Sequence, residues 1–260
     1  MIDFLHEAQL TRLAYKGYDP RKKETNKQKL EKRVLDYTKR GTVAIVELNG
    51  LLCYILKCAD KDYIVFRGTN SLQNWIENNF NLSKIEVTEG KVQQGMYNGA
   101  VTLTDQLVKY IDGSKPLVLA GHSLGADMAL ISAKLLCNAG LDIEHVTAFE
   151  PANFANKKYI KNTNDLFKKY IFKNNIDLVT TSMMQLIKFY QYQETILYFN
   201  RANELLLNPT KLEVGIDKTM TYINPKNLIG LVEDHSMTYM LNRIIDNEKY
   251  IAEFQKKGLI

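Results

Sequence analysis

The chain has 260 residues, 45% of them hydrophobic, and a net charge of +5 from 34 basic and 29 acidic side chains. That length supports one sizeable core. That charge is too weak to argue for nucleic acid as a partner, and the basic residues of Arg21-Lys22-Lys23 and Lys29 to Arg33, mixed with Glu24 and Glu31, read as a solvated helix face rather than an anionic membrane patch. No apolar run approaches the ~18 residues of a membrane helix, and Met1 to Glu7 lacks the basic start and apolar stretch of a signal peptide. Cys53, Cys58 and Cys137 cannot all pair within one chain. They read as reduced core thiols, with Cys53 and Cys58 on opposite faces of one strand. The expected location is the cytoplasm, with unconventional export left open. No zinc-ligand spacing is present, and neither a metal nor a cofactor is expected.

In chain order, Phe4, Leu5, Leu10, Leu13 and Ala14 recur at helical spacing over 3–16, and 24–38 form a second, more polar helix. From Val43 the period changes to two. Asn49-Gly50 then supplies a two-residue hairpin turn before a return strand over 51–57. Tyr63-Ile64-Val65-Phe66 is a buried strand. Leu72, Trp75, Ile76 and Phe80 make an apolar stripe on a short helix, explained equally by core packing and by a lid. A helix over 96–112 ends at Gly113, Leu117 to Ala120 form an apolar strand, and 124–138 a helix stopped by Gly140. Strands follow at 143–149 and 169–173. The stretch 180–230 resists assignment, and 183–199, rich in Met, Tyr and Phe, fits either a cap or a buried hairpin. Residues 235–256 close the chain as helix. Alternating strand and helix argue a mostly parallel α/β sheet covered on both faces. We expect one domain over 1–260, with a helical N-terminal region over 1–40 and lid or cap segments over 70–85 and 180–230.

The motif that carries chemistry is Gly121-His122-Ser123-Leu124-Gly125, set between the strand of 117–120 and the helix of 124–138. It has the form of a nucleophile elbow, in which glycines two before and two after the serine allow a turn too tight for side chains. Ala126, Ala129 and Ala133 let the following helix lie close to the sheet. A serine hydroxyl needs a base to become nucleophilic, and the base needs an acid to hold it. Among the four histidines, His6 precedes the sheet and His122 sits inside the elbow, pointing away from the serine hydroxyl. His145 and His235 remain. His145 leaves little room for an intervening acid-bearing strand, so His235 is the preferred base. Asp177, in Asn174-Asn175-Ile176-Asp177-Leu178-Val179, is the preferred acid at a strand end. Glu150 is a rival, Asp142 faces the wrong end of a strand, and Asp234 adjoins His235 too closely to brace it.

Several ordered segments together resemble the class 3 lipases of the α/β-hydrolase superfamily. They are Ile64-Val65-Phe66-Arg67-Gly68-Thr69 followed by Asn74-Trp75-Ile76, the elbow with its leading Val118-Leu119-Ala120, the Asn174 to Val179 strand end, and His235. The resemblance covers about residues 40–240. It implies an α/β-hydrolase fold, with Ser123 as nucleophile, Asp177 orienting the base and His235 as the base. It also implies an oxyanion hole from the backbone amides of Thr69 and Leu124. The implied activity is hydrolysis of lipid or phospholipid esters, with transient contact at a membrane surface. The same triad would serve an acyltransferase or thioesterase, and a retained fold without catalysis would serve as an interaction module. The chain departs from the family at Gln93, Asp127, Thr180 and the loop Phe149-Glu150-Pro151-Ala152-Asn153.

Overall fold

The structure is a computed structural model that describes residues 1–16, 23–68, 83–175, 190, 192, 195–222 and 236–260, with the backbone alone at 23–25 and 222. The stripe of Leu72, Trp75, Ile76 and Phe80 lies outside the described residues, as does most of 180–194.

An eight-stranded sheet runs through the protein in the order β1-β2-β3-β6-β7-β8-β9-β10. β1 (Thr42–Leu48), β2 (Leu51–Lys57) and β3 (Asp62–Arg67) form an antiparallel edge. β3, β6 (Leu117–His122), β7 (Ile143–Phe149), β8 (Lys169–Asn174) and β9 (Ile196–Phe199) run parallel, and β10 (Leu205–Leu207) returns antiparallel to β9. Leu48 pairs with Leu51 across the Asn49-Gly50 turn. Both turn residues have positive φ, 52° and 80°, the backbone that a two-residue hairpin needs to match strand twist. A separate hairpin joins β4 (Lys84–Val87) to β5 (Gly90–Gln93). Its polar residues and short length concealed it from periodicity.

One face of the sheet carries α3 (Gln94–Leu107) and α4 (Leu124–Asn138), whose Met96, Ala100, Leu103, Met128, Ala129 and Ala133 close the main core over Ile64, Phe66, Leu119 and Val146. The other face carries α1 (Phe4–Leu13) and α2 (Lys23–Thr38) over Leu52, Tyr54 and Val65. The same face carries the pair of helices that end the described chain, Met237–Asp246 and Glu248–Lys256, over Phe172, Leu197 and Phe199. The expected helical C-terminal region is thus two helices that meet at Asn247, which has φ −109° and whose side chain bonds the carbonyls of Asn203 and Arg243. Within the stretch that resisted assignment, β9, β10 and a helix at Lys211–Tyr222 emerge. β9 has only four residues, too few for a clear period, and it is buried by its neighbours. The helix Lys157–Thr163 was also not foreseen. Its N-terminus is capped by Asn156, whose side chain accepts from the Tyr159 amide at 2.9 Å.

Strand alternation settles which groups reach which face. Along β6, Leu117 and Leu119 join the main core, so His122, three residues beyond Leu119, turns to the α1 face. Along β7, Val146 and Ala148 face α4, while His145 and Thr147 face α1. There the buried carboxylate of Glu7, from α1, meets His145 Nε2 at 2.8 Å and accepts from Thr147 Oγ1 at 2.5 Å. His145 is therefore engaged in pinning α1 to the sheet.

Candidate active site

The elbow sits where β6 hands over to α4, at the C-terminal edge of the parallel strands, where such folds place their sites. Ser123 adopts φ 57° and ψ −130°, a left-handed conformation strained for any residue with a side chain. Three backbone bonds over-determine it. Its N–H donates to the Phe149 carbonyl at 2.9 Å, and its own carbonyl accepts from Ala126 at 2.8 Å and Asp127 at 3.3 Å. The turn is as tight as its glycines imply. A Cβ on Gly125 would stand 2.4 Å from the Phe66 carbonyl oxygen and 2.7 Å from the Arg67 carbonyl carbon. The elbow thus packs backbone to backbone on the end of β3.

Gly68, the residue before Thr69, belongs to the same contact. A Cβ there would meet the His122 carbonyl oxygen at 2.5 Å and Ser123 Cβ at 3.3 Å. Leu124 is the first residue of α4, so its amide is one of the four at a helix N-terminus that have no intrahelical acceptor, and the helix dipole adds partial positive charge at that point. Of the five expected site residues the structure describes Ser123 and Leu124, both buried and adjacent. Thr69, Asp177 and His235 lie outside the described residues.

The elbow histidine, whose ring was expected to point away from the serine, has carboxylate and phenol partners. His122 Nε2 is 3.1 Å from Glu150 Oε2, and Nδ1 is 2.9 Å from the hydroxyl of Tyr15. Glu150 Oε1 accepts from Asn174 Nδ2 at 2.6 Å. The Tyr15 oxygen in turn accepts from the Gly68 amide at 2.8 Å. Burial is the chief cause that pushes the Tyr15 phenol well above its ordinary range, so it stays protonated and can donate. Glu150, the rival acid, is therefore committed to His122 and Asn174. Neither Tyr15 nor Glu150 was singled out for this role. The signal that bore on Glu150 was its place in a loop that departs from the family pattern.

Another departure braces that loop. Asp127, buried in the first turn of α4, accepts from the Ala152 amide at 3.3 Å. Gln93 caps α3 by accepting from the Met96 amide at 2.5 Å, and its own amide donates to the Phe154 carbonyl at 2.8 Å. Among the described residues there is no group of three or more His, Cys, Asp and Glu able to hold a metal ion. No helix among them is long and apolar enough to cross a membrane.

The parallel sheet with an elbow serine at its C-terminal edge defines an α/β-hydrolase. Residues 63–186 match the family model described as Lipase (class 3), a family of carboxylic ester hydrolases. Solved structures agree in fold. The Rhizomucor miehei triacylglyceride lipase superposes with a TM-score of 0.59 at 16% identity, over 78% of this chain and 81% of that one. A lipase from Rhizopus microsporus var. chinensis gives 0.55 at 20% identity, over 75% and 73%. A triacylglycerol lipase whose catalytic centre is formed by a serine protease triad gives 0.56 at 16% identity, over 78% and 81%. No curated protein sequence matches the chain.

Proposed function

We propose that the protein hydrolyses lipid or phospholipid esters through an acyl-enzyme on Ser123. The observation that carries this reading is the backbone of Ser123, held at φ 57° between a buried strand and a helix N-terminus by glycines that admit no side chain. Strain of this kind is retained where the surroundings over-determine it, and active sites are where it collects. The serine triad of the triacylglycerol lipase neighbour supports assigning the same division of labour here.

In this reading His235 takes the hydroxyl proton as Ser123 Oγ attacks the ester carbonyl carbon. Asp177 stays ionised and holds the imidazole in the tautomer that can accept. Charge develops on the carbonyl oxygen, where the Thr69 and Leu124 amides receive it, each such donor worth about 3 kcal/mol of barrier. The ester C–O bond then breaks. The alcohol leaves with the proton from His235, and the acyl group stays on Oγ. Water, giving its proton to His235, attacks the acyl carbon and releases the acid and free serine. The substrate is presented by transient contact with a lipid surface.

Wild type and Ser123→Ala, assayed on a panel of triacylglycerols, phospholipids and soluble p-nitrophenyl esters, test the proposal. Wild type is expected to turn over at least one ester class and to be labelled at Ser123 by a fluorophosphonate. Ser123→Ala loses both with an almost unchanged melting temperature. Activity also falls as pH drops through a histidine value near ~6.5. Equal activity in the two proteins would refute the assignment.

A further inference from the structure

The described residues hold a largely buried polar chain that touches the elbow, the end of β3 and the ends of β7 and β8. It begins at the Gly68 amide, passes through the Tyr15 hydroxyl to His122, then through Glu150 to Asn174. His122, Glu150 and Asn174 are all buried, at 4%, 1% and 3% exposure. Tyr15 stands just beyond the end of α1, on the sheet face away from α4. Each link bridges a different segment. Gly68 leads into Thr69, His122 precedes Ser123, Glu150 follows β7, and Asn174 ends β8 three residues before Asp177.

The donors can be ordered. With the neutral imidazole, Tyr15 O–H donates to Nδ1, Nε2–H donates to Glu150 Oε2, and Asn174 donates to Oε1. Tyr15 has a second acceptor within reach, the His122 carbonyl oxygen at 3.3 Å. If the imidazole carries its proton on Nδ1, that nitrogen donates to the Tyr15 oxygen and the phenol turns its hydrogen to the carbonyl. Tyr15 therefore spans the gap between Gly68 and the elbow in either tautomer. Glu150 has φ 51°, a conformation that glycine and asparagine adopt readily and glutamate does not. The buried bonds to His122 and Asn174 hold a residue there that backbone preference alone disfavours.

We propose that Tyr15, acting with His122 and Glu150, is a positioning residue that sets the distance between the Ser123 elbow and Gly68, the residue that precedes Thr69. This deepens the ester hydrolase reading and rests on it. The geometric reason is that Gly68 touches the elbow through its backbone, and its amide is oriented by the phenol alone among the described side chains. Oxyanion stabilisation depends on where donors point, so loosening this clasp acts on the transition state more than on ground-state binding.

The test compares Tyr15→Phe with Tyr54→Phe. Tyr54 is a buried tyrosine whose hydroxyl donates to the Leu10 carbonyl of α1 at 2.7 Å, with no bond to the elbow. Both changes remove one buried hydroxyl that ties the same N-terminal region, so a merely structural role lowers both melting temperatures and spares kcat in both. On p-nitrophenyl butyrate, Tyr15→Phe is expected to lower kcat about tenfold to a hundredfold with KM nearly unchanged, and Tyr54→Phe to keep wild-type kcat. Glu150→Leu and Glu150→Gln supply a second reading that leaves Tyr15 in place. Leucine breaks the chain and lowers kcat. Glutamine accepts from Asn174, donates to His122 Nε2 and so reverses the tautomer while keeping every link, and it retains activity. Wild-type turnover with unchanged kcat in Tyr15→Phe, or in Glu150→Leu should Tyr15→Phe not fold, overturns the inference and leaves the hydrolase reading standing. Absence of turnover and of fluorophosphonate labelling at Ser123 in the wild type overturns both.

Discussion

A Cβ on Gly121 would stand 2.2 Å from the carbonyl oxygen of Gly125. Carbon and oxygen that are not bonded do not approach so closely, so the backbone of residue 125 requires glycine at 121, and the end of β3 in turn requires glycine at 125. The consequence is local and directional. The chain can reverse from strand to helix within one residue, and that residue, Ser123, takes the strain.

The companion contact predicts a large effect from a small change. In Gly125→Ala the new methyl meets the backbone of Phe66, Arg67 and Gly68 at 2.4–2.8 Å, and none of these can move without distorting β3. We expect a loss of about 3 kcal/mol of stability, the upper end of overpacking penalties, in urea unfolding. Gly215→Ala is the contrast. That glycine lies inside the helix Lys211–Tyr222 with nothing within 4 Å of an added Cβ, so alanine is expected to stabilise by about 0.5–1 kcal/mol.

The pin between α1 and β7 should be expensive to break on one side. Glu7→Ala leaves His145 and Thr147 without their shared buried partner. Loss of one member of a buried pair is typically worth about 3 kcal/mol or more, and urea unfolding of Glu7→Ala should show it. Glu7→Gln keeps one acceptor and should fall between that variant and wild type.

His6 supplies a pH dependence with a definite sign. Burial, beside Tyr37 and Tyr63, lowers its pKa below the ordinary 6.5, outweighing the upward pull of Asp3 and Glu7. The unfolded chain therefore binds a proton at a higher pH than the folded one does. As pH falls below 6.5 the unfolded state is favoured, and stability drops until the folded pKa is passed. His6→Gln cannot titrate. Its melting temperature relative to wild type should rise as pH falls from 7 to 5, and a constant difference would refute this.

Cysteine reactivity should follow burial. Cys53 is fully buried, and burial pushes its thiol, like that of Cys58, above the ordinary range. The thiolate is the reactive form. Iodoacetamide at pH 8 should therefore modify the partly exposed Cys137 first and reach Cys53 only after unfolding, as peptide mass mapping would show.

Much of the fold was legible because local physics and tertiary demand agreed. The Asn49-Gly50 turn, the helix over 124–138 and the strand over 143–149 appear where composition and period placed them. Cys53 and Cys58 do fall into cores on opposite faces of the sheet. Segments without a long period were not legible. β9 spans four residues, and the β4–β5 hairpin sets only Ile85, Val87 and Val92 against the main core, too few for a period to show.

By itself the sequence determined the elbow. Glycine spacing, a preceding apolar strand and a small-residue helix are consequences of steric limits that act within a few residues of Ser123. Only the tertiary structure decided what stands behind it. Tyr15 lies more than a hundred residues before Glu150 and Asn174, and strand alternation together with the docking of α1 joins them in one chain through His122. A hydrogen-bonded chain across five segments leaves no period and no motif, because its members come from different elements that meet only in the fold.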